Sequence, residues 1–261
     1  MKQLFLGLLI SIFSSLCFAQ EKLPPQLYLL VDIDNVIIDN IAFFNEKDFA
    51  EYKEVLQQRG YIVQTINIST SRNKNRTLET YLKKTNQDPE PINTYNQRID
   101  TESFVLRPSI KYFFESLANS GIKTHVLICS QKNNLRTKAF VEQLNLEINN
   151  IPFKNFATFL PKEKYAVDIK SLNGTTKRAK SSHELRERYS GENGPITAND
   201  YVISIDLFPE SAFIISNKNH DLNIRISPFN VRKSYDANED MKQINMILEQ
   251  IINFVSQKNE Q

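Results

Sequence analysis

The run LYLLVDIDNVII, residues 27–38, is apolar apart from Asp32, Asp34 and Asn35. Its hydrophobic half has the look of a buried strand, and a carboxylate stranded in such a core costs several kcal/mol unless a cation or hydrogen bonds compensate. Two aspartates there must therefore have partners, and the end of the strand is where they can find them.

Working outward, similar β-rich apolar runs recur at Tyr61–Ile68, Phe104–Leu106, His125–Cys129, Tyr201–Ile205 and Leu222–Ile226. Between several of them lie helix-period segments. SIKYFFESLANSG gathers Ile110, Phe113, Phe114 and Leu117 on one face and closes with Gly121. NNLRTKAFVEQLN gathers Leu135, Phe140, Val141 and Leu144, and EDMKQINMILEQIINFVSQ is a last amphipathic helix. This alternation predicts an α/β fold, a doubly wound, Rossmann-like parallel sheet with helices on both faces. Two stretches break it. Residues 40–100 read as a small inserted, cap-like segment after strand one, with a helix over Phe43–Leu56 and another over Arg76–Leu82. Residues 162–199 are polar and lysine-rich, and read as a helix among long loops.

Composition narrows the class. The chain has 261 residues, is 41% hydrophobic and 24% charged, and carries a formal charge of +2. That suits one sizeable domain and gives no field that would gather nucleic acid. The first residues, MKQLFLGLLISIFSSLCFAQ, place Lys2 before an apolar run and small residues at Cys17 and Ala19, the pattern of a signal peptide spanning 1–19. The mature domain is then 20–261, exported to a periplasm or secreted, with no stable membrane anchor after cleavage. Cys17 leaves with that segment, so Cys129 remains alone and reads as a small buried hydrophobe. His125, His183 and His220 lack metal-ligand spacing.

In a doubly wound sheet ligands gather at the carboxyl ends of the strands. Those ends deliver Asp32 and Asp34, then Ser130, then Asp206. Alternate strand residues point the same way, so Asp32 and Asp34 are expected to face one ligand.

These residues resemble the motifs of the haloacid-dehalogenase-like (HAD) phosphohydrolases. Val-Asp-Ile-Asp-Asn-Val at 31–36 is similar to their D-x-D-x-[T/V] strand end, and Val-Leu-Ile-Cys-Ser at 126–130 to their strand closing on Ser or Thr. Tyr-Val-Ile-Ser-Ile-Asp-Leu-Phe-Pro-Glu-Ser at 201–211 resembles their acidic motif. Arg107-Pro108 and the D-x-x-P-x-S echo at Asp206–Ser211 bring the C-terminal-domain phosphatase-like group nearest.

The resemblance implies a Mg²⁺-dependent phosphatase. Asp32 would be the nucleophile, Asp34 the general acid and base, Ser130 a ligand of a phosphoryl oxygen, and Lys180 the cation that neutralises the phosphate. Lys177 and Lys170 are the alternatives to Lys180. Asn35, Ser130 and Lys180 would bind substrate, and Asp32, Asp34, Asp206 and Glu210 would hold the metal. One departure stands out: the group carries Asn or Asp after the last motif aspartate, and this chain has Leu207. Either Glu210, four positions beyond Asp206, substitutes, or water fills the site, or metal binding is impaired. The expected partner is a phosphorylated small molecule or a phosphoprotein. The alternative is a catalytically degenerate exported protein that acts as a binding or host-interaction module.

Overall fold

All six residues of β1 (Leu27–Asp32) are buried, and the rest of the fold is arranged around them. The structure is a computed structural model that describes residues 24–40, 46–68, 101–130, 134–170, 176–191, 194–207, 213–231 and 235–259. The signal peptide expected over residues 1–19 and the helix expected over Arg76–Leu82 lie outside the described residues.

After β1 the chain forms β2 (Ile38–Asn40), α1 (Glu46–Gln58), β3 (Val63–Asn67) and β4 (Thr101–Leu106). It continues through α2 (Ile110–Ala118), β5 (Thr124–Cys129), α3 (Asn134–Gln143), β6 (Glu147–Ile148), β7 (Ile151–Pro152), α4 (Phe153–Phe156) and β8 (Ala157–Phe159). The last part comprises β9 (Ala166–Lys170), β10 (Thr176–Ser181), α5 (Ser182–Arg188), β11 (Ser190–Gly191) and β12 (Gly194–Pro195). It ends with β13 (Tyr201–Asp206), β14 (Phe213–Ile214), β15 (Asp221–Arg225) and α6 (Ala237–Asn259).

Five strands form the central sheet in the order β15-β13-β1-β5-β8, and every neighbouring pair is parallel. From β1 the chain first adds β5 and β8 on one side, then returns to add β13 and β15 on the other. The order reverses beside β1, and in sheets of this kind ligands gather at the carboxyl ends of the strands flanking such a reversal, here β1 and β13. Alternation along β1 splits the core in two. Leu27, Leu29 and Val31 pack with Phe113 and Phe114 of α2, Phe140 of α3, and Ile247 and Ile251 of α6. Tyr28 and Leu30 pack on the other face with Tyr165, Leu185 of α5 and Phe213.

Several expectations are revised. Phe104–Leu106 does not join the parallel sheet; it is part of β4, which pairs antiparallel with β3 of the 40–100 stretch and, on its other side, with β2. The lysine-rich region holds more than a helix. Its alternating residues form the antiparallel pair β9–β10, to which β14 adds in parallel. The helix that follows is capped by the Ser181 side chain, which accepts from the Glu184 amide at 3.3 Å. β8, an edge of the main sheet, was not anticipated. α2 ends at Ala118, and Gly121 turns the chain toward β5 with φ +80°. Within α3 the buried face is Arg136, Thr137, Phe140 and Val141, whereas Leu135 is 44% exposed. Positions 136, 137, 140 and 141 share one stripe at i, i+1, i+4 and i+5, and the helix turns that stripe inward because Arg136 finds carboxylates there.

The small antiparallel sheet is fastened to α3. Phe104 and Phe140 pack with ring centres 5.5 Å apart and ring planes tilted by 57°. Gln64 and Asn145 exchange hydrogen bonds of 2.8 and 2.9 Å, as do Asn67 and Gln143, both at 2.8 Å. Phe140→Ala should therefore cost about 3–5 kcal/mol in urea unfolding, while Leu135→Ala should change stability by less than about 0.5 kcal/mol.

Candidate active site

Asp32 closes β1 and is buried. Its Oδ1 accepts from the Ile33 amide at 2.9 Å. Its Oδ2 lies 3.7 Å from Lys180 Nζ, in ion-pair range but beyond a hydrogen bond. Lys180 itself is fully buried, on β10 one residue before the Ser181 cap, and donates to Asp206 Oδ2 at 2.7 Å. The other oxygen of Asp206, at the end of β13, accepts from the Leu207 amide at 2.7 Å. One ammonium thus joins the carboxyl ends of two adjacent parallel strands. Lys177 and Lys170 pair with Ile169 and Thr176, toward the turn end of the β9–β10 hairpin and away from Lys180.

Electrostatics follow from that burial. Desolvation pushes the Asp32 carboxyl above its ordinary value; Lys180 pulls it back, and the nearby charges of Asp206 and Asp34 add to the rise. Burial also works against the Lys180 ammonium, but Asp32 and Asp206 outweigh it and hold the charge well above the usual lysine range. Cys129, directly opposite Asp32 in β5, is a poor nucleophile: burial pushes its thiol up to about 12. Ser130 follows it, 2% exposed, and its carbonyl accepts from Tyr165 Oη at 2.9 Å.

Asp34 lies just beyond the strand, which stops at Asp32, and its charge is near enough to act on the Asp32 carboxyl. There the chain turns: the amides of Ile37 and Ile38 both donate to the Ile33 carbonyl, at 3.0 and 3.1 Å. Asn35 takes φ +58°, a left-handed conformation that asparagine tolerates. Its carbonyl accepts from the Phe229 amide at 2.8 Å, so its observed contribution is to the turn. The Asp34 carboxylate is gripped by Arg136, whose Nη1 and Nη2 reach Oδ2 and Oδ1 at 3.1 and 2.8 Å. The same guanidinium binds Glu102 of β4, with Nε to Oε2 at 2.6 Å and Nη2 to Oε1. Burial opposes the Arg136 charge, but Glu102 and Asp34 overcome it and raise its pKa.

Sequence reasoning missed Arg136 and Glu102. The available signal was Arg136 standing four residues before Phe140 on a buried stripe. Arg107, part of the family resemblance, lies outside this cluster. It pairs with Asp240 of α6 and donates to the carbonyls of Val36 and Ser227 at 3.2 and 3.3 Å, which pins the turn after Asp34 to the C-terminal helix. Glu210, together with Pro209 and Ser211, lies outside the described residues. Leu207 packs against the main core and offers Asp206 only its amide.

No protein-family model matches the chain, and no curated protein matches it significantly. Among solved structures it is similar to the fission yeast RNA polymerase II CTD phosphatase Fcp1, an arginine-to-alanine variant bound to beryllium fluoride. The match covers 90% of this chain and 55% of that one at 15% identity, with a TM-score of 0.38. The chain therefore spans little more than half the length of that protein, and a likeness this loose decides nothing about the site.

The donor set suits a hard divalent cation. Asp32 and Asp206 against Lys180 leave one negative charge in excess, and the donors are oxygens, as Mg²⁺ requires. Among the described residues no group of three or more His, Cys, Asp or Glu side chains is arranged to hold a metal. Backbone carbonyls, water or residues of the 208–212 segment would have to complete such a site.

Removing the ammonium exposes its structural role. Lys180→Met should cost about 3–5 kcal/mol at neutral pH, because two buried carboxylates lose their cation. Asp32 already binds its proton more tightly in the fold than in the unfolded chain, and without Lys180 that preference grows. Stability of the variant should therefore rise as pH falls through the carboxylate range, and its deficit against the parent should narrow, as chemical denaturation at several pH values will measure.

Proposed function

We propose that this chain is a phosphomonoester hydrolase of the HAD-like type, acting through an aspartyl-phosphate on Asp32. The observation that carries the reading is the buried Lys180 ammonium shared by Asp32 and Asp206 at the carboxyl ends of adjacent parallel strands. Asp32 keeps one oxygen beyond hydrogen-bond range of its cation, available to attack phosphorus. A buried lysine beside it offsets the repulsion between carboxylate and phosphate dianion.

In the reaction, Asp32 Oδ2 forms a bond to phosphorus as the bond to the ester oxygen breaks. Asp34, with one oxygen released from the Arg136 fork to hold a proton, delivers that proton to the leaving oxygen, then takes one from the water that releases phosphate and restores Asp32. Ser130 donates to a phosphoryl oxygen, and Lys180 holds the nucleophile in place. Asp32, Asp206 and the backbone carbonyl of Asp34 would hold Mg²⁺, with Glu210 as a further donor. The bound ion supplies Lewis-acid stabilisation of the phosphoryl charge. The substrate is a phosphorylated small molecule or a phosphoprotein, met in a periplasm or outside the cell after removal of residues 1–19.

A second reading rests on Leu207, which offers no side-chain ligand beside Asp206. On that reading the protein is a catalytically degenerate, exported binding module.

One experiment separates the two. The chain from Gln20 onward should hydrolyse p-nitrophenyl phosphate with Mg²⁺ and lose the activity in EDTA. Asp32→Asn should lower the rate by roughly 10³-fold or more. Turnover that survives Asp32→Asn contradicts the mechanism. Absence of turnover, with no rise in melting temperature on adding Mg²⁺, selects the binding module.

A further inference from the structure

Glu102 and Arg136 come from different parts of the fold and meet at Asp34. Glu102 stands on β4 of the small antiparallel sheet, opposite Ile66 of β3. Arg136 stands in the first turn of α3, with its side chain only 9% exposed. The planar guanidinium lies between two carboxylates and engages both in forked fashion. A fork of this kind fixes the direction of a carboxylate as well as its distance. The two reciprocal amide pairs that fasten β3 to the end of α3, Gln64 with Asn145 and Asn67 with Gln143, hold the sheet and the helix in register. Asp34 by contrast sits on a turn, with a left-handed residue directly after it. Left to itself, that turn would aim the Asp34 side chain poorly.

We propose that Arg136 and Glu102 are positioning residues: Glu102 orients Arg136, and Arg136 keeps hold of one Asp34 oxygen while the other, released from the fork, carries the proton to the leaving-group oxygen. The inserted sheet then sets the geometry of one catalytic group as well as bordering the site. This rests on the phosphatase reading and adds to it residues from the insertion and from α3.

The test uses two esters in the same buffer with Mg²⁺. p-Nitrophenyl phosphate has a leaving group that needs no proton, whereas β-glycerophosphate expels an alkoxide that does. The parameter is kcat/KM, which reports the steps up to phosphorylation of Asp32. Glu102→Gln and Arg136→Lys should each lower kcat/KM for β-glycerophosphate by roughly 10- to 100-fold, with less than roughly 3-fold loss on p-nitrophenyl phosphate. In an Asp34→Asn background neither substitution should cause further loss. Equal losses on both esters, or full additivity with Asp34→Asn, would overturn the assignment and leave these residues as structural supports. Should Arg136→Lys fail to fold, Glu102→Gln carries the test alone. A parent protein inactive on both esters removes the phosphatase reading and this inference together. An active parent whose variants do not distinguish the esters removes only the inference.

Discussion

A lysine ammonium with no exposure to solvent, shared by Asp32 and Asp206, is the constraint on which the site depends. Burying three charges is expensive, at several kcal/mol per ion before pairing. The cost is tolerated only if all three groups arrive together, and they come from β1, from β13 and from the small sheet that covers the opposite face of the core. The parallel sheet supplies two of them because its order reverses beside β1. The β9–β10 hairpin supplies the third because Ser181 starts a helix directly after Lys180. The ion cluster therefore holds the two sheets in fixed relation at the point where the chemistry is proposed to occur.

Two arginines extend the same logic to the turn beyond β1. Arg107 holds the carbonyl of Val36 while paired to Asp240 of α6. Arg136 holds Asp34 while paired to Glu102 of β4. The residues after Asp32 are thus tied on one side to the C-terminal helix and on the other to the β2-β4-β3 sheet. A turn carrying a left-handed asparagine gains its definition from these long-range ties.

The sequence disclosed those parts of the molecule whose signal is local. β1, β5 and β13 are largely apolar runs that end in Asp or, for β5, are followed directly by Ser130, and they occupy the centre of the sheet, where such runs belong. β8 escaped notice because Ala157, Thr158 and Phe159 show no periodicity over three residues. β9 and β10 escaped because their lysines and arginine read as a polar loop, although Lys180 and Ala179 of β10 are buried. Leu135 is the more hydrophobic side chain, yet Arg136 and not Leu135 lies on the buried face of α3. The contact that decides the helix orientation joins residues 102 positions apart in sequence, Arg136 and Asp34. Buried ion pairs of this range carry no periodic signature, and they are what separates the observed site from the expected one.

The central claim is that Asp32 becomes covalently phosphorylated. The direct measurement is acid quench of the enzyme during turnover of a radiolabelled phosphomonoester, followed by peptide mapping of the trapped label. The account predicts one hydroxylamine-sensitive phosphoryl group on the peptide carrying Asp32, absent from Asp32→Asn. Label on another residue, or steady turnover by an enzyme that never acquires label, would contradict it.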